Sequence, residues 1–143
     1  MCSSDLLPPR LAEIVTDAIR KTEAGGKLHL TIALNYGARQ ELVRAFRGMG
    51  SKLAAGSLAT VDIDETTVAD HLYTTEIPDP DLIIRTSGET RLSNFLLWQA
   101  AYAELHFTDT CWPGFTPAEF VRILDAFQGR ERRFGGLGEE GAN

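Results

Sequence analysis

Three short apolar runs, spaced by stretches of helical period, leave this chain few ways to fold. The first is Leu28-His29-Leu30-Thr31-Ile32-Ala33-Leu34. Leu28, Leu30, Ile32 and Leu34 alternate, Ala33 keeps the other face small, and Asn35-Tyr36-Gly37 ends the run. That pattern predicts a buried strand. Leu82-Ile83-Ile84, just after Pro78 and Pro80, predicts a second. A third is predicted from Ala103 to Thr108, with Leu105 and Phe107 on one face and Glu104, His106 and Thr108 on the other.

Helical spacing fills the intervals. Leu11, Ile14, Val15, Ala18 and Ile19 share a face behind Pro8 and Pro9, and Gly25-Gly26 stops that helix. Leu42, Phe46, Met49 and Leu53 mark a second helix that frays at Gly56. Asp62 and Glu65 have the spacing of a capping box and predict a short helix through Val68 and Leu72. Ser93 or Asn94 is placed to cap a helix carrying Phe95, Leu96, Trp98 and Gln99. Thr116-Pro117-Ala118-Glu119 predicts the strongest cap, opening a helix that buries Phe120, Ile123, Leu124 and Phe127 and ends at Gly129. Strands alternating with helices predict an α/β fold, a parallel sheet flanked by helices. Three strands are few for such a sheet and leave an edge open, so the expectation is one part of a larger fold.

A chain of 143 residues, 43% hydrophobic and 24% charged, fits one ordinary globular domain. The net charge of -6 argues against a nucleic-acid-coating protein. It leaves room for a local basic site, since 14 lysines and arginines are available. Cys2 and Cys111 match no metal spacing and read as unpaired thiols, which suits the cytoplasm. All three histidines, His29, His71 and His106, lack ligand spacing and read as structural or surface residues. No apolar run approaches the ~20 residues of a membrane span, and the N-terminus has neither the basic leader nor the apolar core of a secretory signal.

Ligands of open α/β sheets bind beyond the carboxyl ends of the strands. The second predicted strand ends in Arg85, followed by Ser87-Gly88, Glu89, Arg91 and Ser93. Two guanidinium forks, a serine hydroxyl and free N–H groups at a helix start would make an anion seat. The alternative is a solvated turn whose arginines pair with Glu89 and Asp81. Glu104 is solvated, or else it binds a cation that bridges it to phosphate.

The run from Asp81 to Phe115, "DLIIRTSGETRLSNFLLWQAAYAELHFTDTCWPGF", closely resembles the C-terminal half of cis-prenyltransferases, the bacterial undecaprenyl or decaprenyl diphosphate synthases. "IALNYGARQELVRA" and "RERRFGG" match further blocks in the same order. The resemblance covers 7–136, leaving 1–6 unassigned and 137–143 as a flexible tail. It implies transfer of an isoprenyl chain: isopentenyl diphosphate condenses with an allylic diphosphate such as farnesyl diphosphate, with Mg²⁺, to give a cis-polyprenyl diphosphate of the kind that serves as a cell-wall lipid carrier. By matching positions, Arg85, Arg91, Leu92 and Ser93 would hold isopentenyl diphosphate and Glu104 would help bind Mg²⁺. Arg133 and Gly135 of the Arg-x-Gly motif would reach the partner's active site in a homodimer. The resemblance further implies an apolar tunnel, a cytoplasmic location, peripheral membrane contact for the lipid product and no nucleic-acid partner.

Two departures matter. Many members carry His where this chain has Thr90. The family's Met-Asp-Gly-Asn-Gly-Arg and Ser-x-Glu-Asn segments, which hold its catalytic Asp and Asn, have no counterpart in these 143 residues. The expectation is therefore a truncated chain without the allylic site, inactive or weakly active alone. The alternative is a non-catalytic accessory subunit that lends its Arg-x-Gly tail to a partner.

Overall fold

The computed structural model describes residues 8–129, so Arg133 and Gly135 lie outside the described residues. The chain divides between Tyr36 and Gly37 into two units. The first unit carries α1 (Pro9–Thr22), with proline at the first helical position, where a missing N–H costs nothing. Its apolar stripe forms as expected, but Leu11, Ile14 and Ile19 are exposed. The strand predicted over 28–34 is not formed. Leu28, Leu30 and Ile32 are 83%, 75% and 69% exposed. Alternation makes a strand only where a neighbour supplies the ladder hydrogen bonds, and among the described residues this segment has no such neighbour.

The second unit contains α2 (Ala38–Ala54), α3 (Glu65–Ala69), β1 (Leu82–Arg85), β2 (Glu104–Phe107) and α4 (Pro117–Gln128). Short 3₁₀ turns cover Thr60–Asp62 and Trp112–Gly114. β1 and β2 pair in parallel, Leu82 with Glu104 through Arg85 with Phe107. The predicted α/β architecture with a parallel sheet is present, with two strands among the described residues. In β2 the Glu104 and His106 face is half-buried and the Leu105 and Phe107 face is exposed.

Caps decide where the helices begin. Thr116 Oγ1 accepts from Glu119 N at 3.2 Å, as its sequence position predicts. The Glu119 carboxylate accepts from Thr108 Oγ1 at 2.7 Å and so ties α4 to the end of β2. The cap of α3 is Asp64, not Asp62: Asp64 Oδ1 accepts from Thr67 N at 2.7 Å, while Asp62 closes the preceding 3₁₀ turn. The helix predicted behind Ser93 is absent, and 93–102 is a series of turns and bends. Ser93, Asn94 and Leu96 have φ of 50°, 65° and 46°, left-handed values that break a right-handed helix.

The buried apolar residues are Ala38, Ala45, Met49, Val68, Leu72 and Ile123, joined by Glu41 and Gln99. Phe46 and Phe120, predicted to face inward, are 56% and 43% exposed. Leu42, Leu53, Leu124 and Phe127 are half-buried.

The Asp64 cap carries a pH prediction. The Thr67 backbone N–H, then the Thr67 hydroxyl, hold this carboxyl below its ordinary 3.8. A lowered folded-state value means that the stabilisation is complete above 3.8 and disappears as pH falls through the folded value. The Thr67 amide resonance is therefore expected to keep its capped shift down to mildly acidic pH and to move only in stronger acid. In Asp64→Ala that acid transition is expected to vanish.

Candidate functional site at the carboxyl end of β1

Arg85 closes β1 at the carboxyl end of the parallel pair, where its carbonyl accepts from Thr108 N at 2.9 Å. Its side chain is half-buried, and its Nε is buried without a hydrogen-bond partner. Ser87 and Gly88 follow with φ of 73° and 68°, so the chain reverses through two left-handed residues. The turn folds back on the segment after β2: Ser87 N donates to Thr110 O and Gly88 N to Thr108 O, both at 2.9 Å. A Cβ on Gly88 would meet Asp109 Oδ1 at 3.2 Å, so glycine serves both the φ and the close approach.

These bonds correct part of the anion-seat expectation. Ser87 N and Gly88 N are occupied and Ser93 begins no helix, so these N–H groups are not free to bind an anion. Arg91 is 70% exposed and forms an ion pair with Glu89. Leu92 is half-buried and Ser93 exposed. Glu104 sits at the amino end of β2, opposite Leu82, and its N–H donates to Asp81 O at 3.0 Å. Three strand positions separate its level from that of Arg85, a rise of about 10 Å. Among the described residues no group of three or more His, Cys, Asp or Glu side chains could hold a metal ion.

Two residues that sequence reasoning missed lie beside this loop. Asn94 substitutes for the side-chain cap that α2 lacks: its carbonyl accepts from Ala38 N at 2.8 Å and its Oδ1 from Arg39 N at 2.9 Å. Its Nδ2 donates to Gln40 Oε1 at 3.1 Å. Gly37, the residue at the helix N-cap, makes room for this, since a Cβ there would meet Asn94 Nδ2 at 2.7 Å and also strike Gln40 Oε1. Glu41, 1% exposed, accepts from Tyr73 N at 2.8 Å and from Gln99 Nε2 at 3.3 Å. The sequence held a signal for both. The helix start has no Ser, Thr, Asp or Asn at its cap, and Glu41 shares a stripe with Ala38, Ala45 and Met49.

An open groove of about 310 Å³ runs along the outside of α2, lined by Arg39, Gln40, Val43, Arg44 and Arg47. None of the predicted site residues lines it. Arg44 is already engaged, donating to His71 O at 3.0 Å and lying 4.4 Å from the centre of the Tyr73 ring.

Residues 1–135 match the prenyltransferase family described as "Putative undecaprenyl diphosphate synthase". This chain belongs to that family. An isoprenyl transferase of Geobacter sulfurreducens is 50% identical over 131 residues, 92% of this chain and 53% of the relative. One of Geobacillus kaustophilus is 46% identical over 134 residues, 94% of this chain and 52% of the relative. Lavandulyl diphosphate synthase from Lavandula x intermedia, solved in complex with dimethylallyl diphosphate, superposes with a TM-score of 0.88 at 37% identity. That match covers 95% of this chain and 58% of the plant protein. A probable undecaprenyl diphosphate synthase from Campylobacter jejuni gives a TM-score of 0.73 at 35% identity, covering 92% and 59%. This chain thus spans about half the length of the curated relatives it matches. Among its described residues no helix is long and apolar enough to cross a membrane.

Proposed function

We propose that this chain supplies the isopentenyl diphosphate side of a cis-prenyl condensation, in which an allylic diphosphate such as farnesyl diphosphate is extended. The observation that carries this reading is Arg85, held at the carboxyl end of the parallel pair with a buried guanidinium N–H that has no acceptor. The side chain as a whole is half-buried, and its terminal NH₂ groups would meet diphosphate oxygens through charge-assisted hydrogen bonds. Arg91 joins it by exchanging Glu89 for phosphate, and the exposed Ser93 hydroxyl adds a neutral donor next to Leu92.

Fixed positive charge suits both substrate and reaction. The diphosphate must be gripped while the alkene carbon attacks an allylic centre, and charge developing on the departing diphosphate is stabilised by preorganised donors. Mg²⁺ would add Lewis-acid stabilisation of that charge. With Glu104 its one candidate ligand among the described residues, no step of this proposal runs through the metal. Arg133 and Gly135 reaching a partner subunit, and peripheral contact of a lipid product with a membrane, belong to the same proposal.

Calorimetric titration tests it. Isopentenyl diphosphate is expected to bind saturably, at micromolar affinity or so from charge-assisted bonds of roughly 1.5–3 kcal/mol each. Labelled isopentenyl diphosphate with farnesyl diphosphate and Mg²⁺ is expected to give little or no elongation by this chain alone. Absence of binding removes the proposed function, and robust elongation removes its restriction to one half-site.

A further inference from the structure

The segment 93–99 is fastened to α2 at two points that neither helix periodicity nor strand pairing requires. Asn94 holds the first turn of α2 through Ala38 N, Arg39 N and Gln40. Gln99, 2% exposed, donates to Glu41 Oε2 at 3.3 Å and to Thr74 Oγ1 at 2.9 Å. Glu41 Oε1 takes the Tyr73 N–H on its other side. Ser93, Asn94 and Leu96 carry positive φ, and such conformations persist only where surrounding contacts over-determine them.

We propose that Glu41, Gln99 and Asn94 form a clamp that sets the conformation of the Ser93–Gln99 segment, making Glu41 and Gln99 positioning residues for the Ser93 side of the diphosphate site. The positioning role rests on the function proposed above; the clamp itself does not. The chemistry has a direction. Glu41 is acceptor-only when ionised, so the Gln99 amide must present its NH₂ to it, because the opposite orientation would set carbonyl against carboxylate. Gln99 Oε1 is accordingly left buried without a partner, a cost that the carboxylate contact outweighs.

That polarity can be reversed. In the double variant Glu41→Gln/Gln99→Glu, the side-chain carbonyl introduced at position 41 accepts from Tyr73 N–H, and the amide NH₂ beside it donates to the carboxylate introduced at position 99. The Thr74 hydroxyl changes from acceptor to donor. Neither single substitution reproduces this: Gln99→Glu sets two carboxylates together, and Glu41→Gln removes the charge and keeps both contacts only if the Gln99 amide turns over, which leaves its NH₂ buried without an acceptor in place of Oε1.

Hydrogen exchange followed by mass spectrometry on wild type, the two singles and the double tests the clamp. Each single is expected to speed exchange of the amides from 93 to 103 by roughly tenfold or more, the scale of one buried charge-assisted hydrogen bond. The double is expected to return to the wild-type rate, a rescue that loss of packing would not produce. Unchanged exchange in the singles, or no recovery in the double, overturns the clamp. If a single does not fold, the double decides: a folded, protected double upholds the clamp and an unfolded one overturns it. Isopentenyl diphosphate titrations on the same proteins separate the two claims. Affinity is expected to fall in the singles and return in the double. Equal affinity in all four, with exchange behaving as expected, overturns the positioning role. No binding by wild type overturns the proposed function and leaves exchange to judge the clamp.

Discussion

Replacing Arg85 with alanine is expected to weaken isopentenyl diphosphate binding by roughly 10- to 100-fold, the range for one charge-assisted hydrogen-bonding group. The expectation follows from the different states of the two arginines. Arg85 is half-buried at the end of β1 and has no recorded ion pair among the described residues, so it is available to a diphosphate without first leaving a carboxylate. Arg91 must first leave Glu89 and lies mostly in solvent, where ion pairs contribute little. Arg91→Ala is therefore expected to lose less than Arg85→Ala. Glu89→Gln is expected to tighten binding several-fold, by freeing Arg91 and removing a carboxylate from the diphosphate's neighbourhood. Calorimetry on the three variants checks the order. Tighter binding by Arg85→Ala, or weaker binding by Glu89→Gln, would show that the arginines do not face the diphosphate.

Ile123→Ala is expected to destabilise the second unit by about 2–5 kcal/mol, the usual cost of emptying a buried aliphatic site. Ile123, 4% exposed, is the one fully buried residue of α4. The half-buried Leu124 and Phe127 cannot replace it, and the Thr108–Glu119 hydrogen bond holds one end of the helix only. Phe120→Ala removes a larger side chain, yet Phe120 is 43% exposed and touches Phe115 edge-on at 6.5 Å. Its cost is expected to be the smaller of the two. Urea denaturation of both variants tests this ranking, which reverses the one that residue size alone would give.

Local chemistry read correctly at the start of α4. Thr116-Pro117-Ala118-Glu119 caps α4 in the structure because donor and acceptor lie three residues apart. The parallel α/β arrangement followed from the alternation of runs and helical stretches, and the family from ordered blocks such as Arg85 to Glu89 and Ser93 to Gln99. Local reading placed the α3 cap two residues early, because both Asp62 and Asp64 can accept and only backbone geometry chooses between them.

Long-range partners decided the rest. Leu28 to Leu34 alternates like a strand yet forms none, because a strand's hydrogen bonds must come from another segment. Ser93 to Gln99 has the composition of a helix, but Asn94 and Gln99 are committed to α2, and left-handed residues meet those contacts where a helix would not. Residue order offers Arg85, Arg91, Ser93 and Glu104 as candidates, and their roles come from the family resemblance. That Arg85 ends one strand while Glu104 begins the other, and that Arg91 rests against Glu89, follows from parallel register and folding of the loop. Residue order carries the inventory of groups and the local caps. Which of those groups meet, and which are buried, is settled by contacts between segments tens of residues apart.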